Sequence, residues 1–157
     1  MDEVNFFISV ARACADQSTC ISSRYGAVIV DPTTRTILAT GYNGSPRGID
    51  HCSDSGECFK RKFGFTHGNG WDFCVCSHAE QNALIQAGSK SWGCDLYLYG
   101  YRVTNDQEIN PKPCFLCTKL IINAGIKRVV TNYMVLDPYE LFYGYVSSMS
   151  TSKIFDP

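Results

Sequence analysis

An α/β fold is predicted by three observations. Segments with helical spacing of apolar residues interleave with short β-rich runs, in the order α-β-β-α-β-α-β. Turn and cap residues punctuate the segments. The 157 residues, 45% of them hydrophobic, are enough for one domain with a buried core, and no internal repeat or low-complexity linker divides them.

Each element has its own signal. Val4, Phe7, Ile8, Ala11 and Ala15 fall on one face of a helix over residues 2–17. Tyr25 to Val30 is a short β-rich run, Asp31-Pro32 turns it, and Thr36 to Tyr42 is the return strand. His78 to Ala87 reads as a helix, with Ser77 as N-cap, Glu80 placed as in a capping box, and Gly88 as its end. Leu96 to Tyr99 is a third strand. Pro113 sets the start of a helix over Cys114 to Ala124, which Gly125 stops. Ile126 to Thr131 is a fourth strand. The aromatic tail from Pro138 (Tyr139, Phe142, Tyr143, Tyr145, Phe155) fits a helix, an edge strand or an interface element.

Composition excludes several functions. No apolar run approaches the ~20 residues of a membrane helix. The N-terminus begins acidic and continues amphipathic, unlike a signal peptide, so a cytoplasmic protein is expected, in the host cytoplasm if the source is viral. Nine cysteines in a reducing compartment point to metal rather than disulfides. The net charge is −1, and Lys60-Arg61-Lys62, the one basic cluster, reads as a solvated face. That balance suits a small anionic ligand better than a polynucleotide.

The chemistry sits in two short motifs, His78-Ala79-Glu80 and Pro113-Cys114-Phe115-Leu116-Cys117. A catalytic zinc takes three protein ligands and keeps one position open. His78, Cys114 and Cys117 are the expected ligands, with Glu80 left over to move protons. Both His78 and Cys114 fall at helix starts, where unpaired N–H groups favour anionic ligands. This is the general signature of zinc-dependent nucleobase deaminases.

Further segments extend the pattern: Cys20-Ile21-Ser22-Ser23-Arg24-Tyr25-Gly26-Ala27-Val28-Ile29-Val30, the loop Gly41-Tyr42-Asn43-Gly44-Ser45-Pro46, the run His78 to Ala83, and Ile121 to Lys127. On these residues the chain resembles the cytidine deaminase-like superfamily and, within it, the deoxycytidylate (dCMP) deaminases. The resemblance covers roughly residues 5–133. It implies a three-layer α/β/α fold with a central mixed sheet. It implies zinc-dependent hydrolysis of dCMP to dUMP and ammonia, supplying dUMP for dTMP synthesis, with Glu80 carrying the proton. It places Asn43 on the sugar and base carbonyl, and backbone groups of Ala27, Val28 and Ala79 on the pyrimidine edge. Ser22 and Arg24 are the expected 5′-phosphate contacts, and Tyr133 a weaker one over the base. It further implies hexamers regulated by dCTP and dTTP with Mg²⁺, the effector touching Gly41, Tyr42 and Gly44. Asn43 alone also reads as a turn former, and Arg24 as a surface charge.

One domain over 1–157 thus carries a long insertion at about 44–77, rich in His51, Cys52, Cys58, His67, Cys74 and Cys76. Loops of this length usually carry a function or a staple. The resemblance implies a second, structural zinc on Cys20, Cys52, Cys58 and Cys74, with His51, His67 and Cys76 competing; free buried thiols are the alternative. Cys14 and Cys94 read as core residues. Deamination of dCTP or cytidine, nucleic-acid editing, and a zinc-stabilised scaffold are the rival readings. Weak basicity disfavours editing, and a scaffold leaves Glu80 without a purpose.

Overall fold

The computed structural model describes residues 2–65, 70 and 73–151. Helix α1 (Glu3–Ala15) starts at Asp2, whose carboxylate accepts the Asn5 N–H at 2.8 Å. Strands β1 (Ser23–Asp31) and β2 (Thr36–Tyr42) form an antiparallel hairpin. Its turn is held by Asp31, which accepts the Thr33 and Thr34 N–H groups, while Arg35 takes a left-handed φ of 58°. Two single-turn helices follow, α2 (Cys52–Ser55) and α3 (Phe59–Lys62), then α4 (Ala79–Ala87). Strand β3 (Asp95–Arg102), helix α5 (Phe115–Asn123), strands β4 (Arg128–Val130) and β5 (Val135–Leu136), and helix α6 (Pro138–Thr151) complete the chain.

The sheet order is β2-β1-β3-β4-β5, with β3–β4 the parallel pair and the others antiparallel. Because side chains alternate along a strand, each strand feeds two cores. Ala27, Ile29, Leu96 and Leu98 face α4 and α5 and pack on Ala79, Ala83, Cys117 and Ile121. Val28, Val30, Tyr97 and Tyr99 face α1 and pack on Phe7, Ile8, Ala11 and Ala15. Helix, sheet and helix form the three layers. Residues 138–151 of the tail form α6, which packs on α5 through Phe142 and Tyr145 against Phe115, and Phe155 lies outside the described residues. The short β5 was not foreseen: two residues carry no readable period. Among the described residues, no helix is long and apolar enough to cross a membrane.

The insertion is closed at its neck. Gly44 and Ser77 exchange backbone hydrogen bonds at 3.1 and 2.9 Å, and Ser53 N–H reaches Thr19 C=O at 3.2 Å. Ser77 is therefore a bridge residue rather than a cap. His78 is the N-cap of α4, and its N–H donates to the Gln81 side chain at 2.8 Å. The capping role expected of Glu80 thus falls to Gln81, which leaves the Glu80 carboxylate for the interior.

Gly26 and Gly41 lie one position out of register on the paired strands β1 and β2. A Cβ on Gly26 would overlap the backbone of α1 at Ala11, and one on Gly41 would overlap the backbone of α4 at Ala79 and Ala83. Each glycine admits one helix onto one face of the sheet. Gly41, expected at an effector, is instead committed to this contact. Gly41→Ala is expected to destabilise the protein by roughly 1–3 kcal/mol or more, since backbone yields less than a side chain. Denaturant unfolding checks this, and an unchanged midpoint would contradict it.

Candidate metal centre

The N-termini of α4 and α5 converge on one point. His78 arrives from the N-cap of α4, Cys114 from the N-cap of α5, and Cys117 from its first turn. The Cys114 Sγ lies 3.6 Å and the Cys117 Sγ 3.3 Å from His78 Nδ1. Thiolate and imidazole on one tetrahedral zinc, at about 2.3 and 2.0–2.1 Å, stand roughly 3.6 Å apart. The three side chains fit the ion. They are the one such group of ligating side chains among the described residues whose ligand atoms all lie within 4.8 Å of one another. Cys114 also accepts the Cys117 N–H at 3.4 Å. The Cys117 thiol, this N–H and His78 hold the Cys114 thiol well below its usual range.

Glu80 is 5% exposed and lines the same cavity as His78 and Cys114. Burial pushes its carboxyl above the usual range, against the pull of His78. A carboxyl so placed can both take and return a proton. The cavity encloses about 370 Å³. Tyr25 lines it as well. Burial, reinforced by the Glu80 charge, pushes the Tyr25 hydroxyl up to about 12, so it stays a donor.

The other expected contacts separate into two groups. Ser22, Asn43 and Ala79 line the cavity. The Asn43 side chain is largely spent on the protein: Oδ1 accepts from Ser18 Oγ at 2.7 Å and Tyr25 N–H at 2.7 Å, and Nδ2 donates to the Ser23 carbonyl at 2.9 Å. Ala27 and Val28 do not line it. They lie in β1, between β2 and β3, paired with Gly41 and Leu98 and with Thr40 and Tyr97 respectively. Tyr133 is 53% exposed and outside the cavity lining.

Arg24 is also outside the lining. Strand alternation sends Ser23 and Tyr25 toward the cavity and Arg24 to the α1 face, where its Nη1 reaches the Asp16 carbonyl at 3.4 Å. In its place the cavity has Lys60, Arg61 and Lys112. The Lys60-Arg61 pair was visible in the sequence but read as a solvated face. Nothing local in the sequence marks Lys112 or Tyr25.

Three thiols, Cys52 and Cys74 of the insertion and Cys20 before β1, lie near Cys76. Its Sγ lies 3.9 Å from Cys52 Sγ, and the Cys20 and Cys74 thiols interact with it electrostatically. Cys76 holds the Cys20 and Cys74 thiols low. Cys58 lines the same cavity as Cys20, Cys74 and Cys76, and its charge acts on the Cys52 thiol. His51 borders a second cavity of about 600 Å³ with Tyr42, Gly44 and Arg47. His67 lies outside the described residues. Cys94 is buried and Cys14 half-buried against the α1 core.

Beyond the motifs, α6 supports the centre. The Tyr145 hydroxyl donates to the carbonyl of Pro113, the residue before Cys114, at 2.6 Å. Lys112 sits over the Tyr145 ring at 5.0 Å.

Residues 1–133 match the family described as the cytidine and deoxycytidylate deaminase zinc-binding region. The chain is 36% identical to the deoxycytidylate deaminase of Mycobacterium phage D29 over 131 residues, covering 80% of this chain and 90% of that protein. It is 36% identical to the deoxycytidylate deaminase of Schizosaccharomyces pombe over 126 residues, covering 80% of this chain and 35% of that protein. The chain thus spans about a third of the length of that relative. Two solved structures share the fold. A dCMP deaminase from the cyanophage S-TIM5 superposes with a TM-score of 0.55 at 23% identity, over 90% of each chain. A cytidine deaminase from Burkholderia pseudomallei gives 0.57 at 15% identity, over 87% of this chain and 94% of that one.

Two variants test the centre. Cys117→Ala is expected to lose the ion held at this site. Tyr145→Phe is expected to keep it but to release it about 2–10-fold more readily to a competing chelator, the worth of one hydrogen bond. Elemental analysis and chelator titration measure both, and unchanged zinc binding in Tyr145→Phe would show that the Pro113 contact is passive.

Proposed function

Because the chain belongs to the cytidine and deoxycytidylate deaminase zinc-binding family, we propose that it hydrolyses dCMP to dUMP and ammonia. The observation that carries this is the buried Glu80 carboxyl set beside the His78–Cys114–Cys117 triad. Zinc held by those three residues supplies the Lewis acidity that makes water nucleophilic at neutral pH. Glu80 takes one proton of the attacking water and passes it to N3 of cytosine, then takes the second from the resulting C4 hydroxyl and passes it to the departing amine. Water adds at C4, the C4–N4 bond breaks, and ammonia leaves. Tyr25 and Ala79 line the cavity that would take the base.

Three cations in the cavity lining favour a nucleotide over free cytidine. Deamination of dCTP is the second reading, supported by the same cations. The regulatory reading, with dCTP or dTTP and Mg²⁺, fits the second cavity, where Arg47 stands near Asp50 and Asp54. The exposed Leu116, Leu120, Tyr139 and Tyr143 on α5 and α6 suit a homo-oligomer, with the hexamer expected from the family.

For the second zinc we favour Cys20, Cys52, Cys74 and Cys76 as ligands, with Cys58 competing. The wild-type protein is then expected to hold two zinc ions per chain, and Cys76→Ser one. A wild-type count of one would return the four thiols to the core.

The catalytic assignment has its own test. Glu80→Gln is expected to retain the catalytic zinc and the fold while losing at least about 10²–10⁴-fold in turnover. Ammonia release would be followed on dCMP, dCTP, cytidine and oligonucleotides. Near-normal activity of the variant would rule out Glu80 as the proton carrier, and a rate on oligonucleotides above that on dCMP would reassign the substrate.

A further inference from the structure

We propose that Arg61, delivered by α3 of the insertion, is the side chain that reads the substrate's 5′-phosphate, and that Arg24 is a structural residue of the α1 face. This deepens the dCMP reading and rests on it.

Arg61, Lys60 and Lys112 line the cavity that contains His78, Glu80 and Cys114. Glu80 is the one carboxylate among its described lining residues. A chain with a net charge of −1 therefore concentrates three cations on one cavity. They come from separate parts of the chain, α3 on one hand and the segment before Pro113 on the other, so the tertiary fold makes the cluster.

Arg61 is the cation best fitted to phosphate. Its guanidinium is exposed, and its Nη2 donates to the Ser22 hydroxyl at 2.8 Å. Ser22 lines the cavity too, so this bond holds the guanidinium at the cavity wall. The anchor is neutral. Among the described residues Arg61 makes no ion pair, whereas Lys62 next to it pairs with Glu57 at 2.9 Å. A guanidinium held by a hydroxyl keeps its charge and paired donors for an incoming anion. Phosphate lies at the end of the nucleotide remote from C4, and binding energy gained there can be spent on orienting the base.

Arg24 has the opposite setting. Ser23 and Tyr25 flank it in sequence and line the cavity, while Arg24 itself does not. It reaches the carbonyl of Asp16 just beyond α1, near Tyr101, whose hydroxyl bonds the Asp16 carboxylate at 3.0 Å.

The test compares Arg61→Ala, Arg61→Lys and Arg24→Ala on dCMP and on deoxycytidine, with zinc content and unfolding midpoint measured for each. Arg61→Ala is expected to lower kcat/KM for dCMP about 10–100-fold, the worth of a charged hydrogen bond, and to affect deoxycytidine far less. Arg61→Lys should recover part of the loss. Arg24→Ala should lower stability and affect both substrates alike. Equal losses on both substrates in Arg61→Ala, or a dCMP-selective loss in Arg24→Ala, would overturn the proposal. A wild-type enzyme that turns over neither substrate would sink the catalytic reading separately. Titration of dCMP and deoxycytidine into wild type and Arg61→Ala then decides the phosphate site: a dCMP-selective loss of binding sustains it, and unchanged dCMP binding removes it.

Discussion

The backbone of α4 rests directly on β2 at Gly41, and the position of His78 and Glu80 depends on that contact. A helix normally stands off a sheet by the thickness of its side chains. Here one glycine removes that spacing on one face, and Gly26 does the same for α1 on the other. The two glycines sit one position out of register on paired strands, so both helices approach the sheet closely in the same region. The N-terminal end of α4 then meets the N-terminal end of α5, and His78 faces Cys114 and Cys117.

Electrostatics follow from that meeting of helix ends. Unpaired N–H groups and partial positive charge favour thiolate and carboxylate forms near the first turns. Cys114 profits directly, accepting the Cys117 N–H. Glu80 lies in the first turn of α4, yet its burial pulls the other way and raises its proton affinity. Opposed influences on one carboxyl are what a group needs to accept and release protons within one turnover. Capping of α4 by Gln81 makes this arrangement available, because Glu80 is not occupied at the helix start.

The insertion brings Lys60 and Arg61 to the cavity that holds His78, Glu80 and Cys114. Its neck is fastened by Gly44 and Ser77, and its thiols gather at Cys76. Cys20, just before β1, joins the same group, and Ser22 two residues later holds Arg61. Metal at the thiols and phosphate at Arg61 would thus share one short stretch of chain. Ordering that stretch lowers the entropy cost of presenting a flexible arginine to a ligand.

Local chemistry was legible in the amino-acid sequence. The His-x-Glu and Cys-x-x-Cys spacings, the proline before Cys114 and the terminating glycines act within a turn or two of chain, so they could be read without coordinates. The alternating sheet and the first helix were legible for the same reason, since period 2 and period 3.6 are local. The parity of β1 was also present in the sequence. It separates Arg24 from Ser23 and Tyr25, but which face mattered was unknown until α1 and α4 had been placed. Only the tertiary structure could decide that Arg61 and Lys112 meet at one cavity, that Cys76 stands beside Cys52, and that residues 138–151 of the aromatic tail form a helix braced on Pro113 through Tyr145. Those contacts join residues far apart in the chain, and no local period or spacing encodes them.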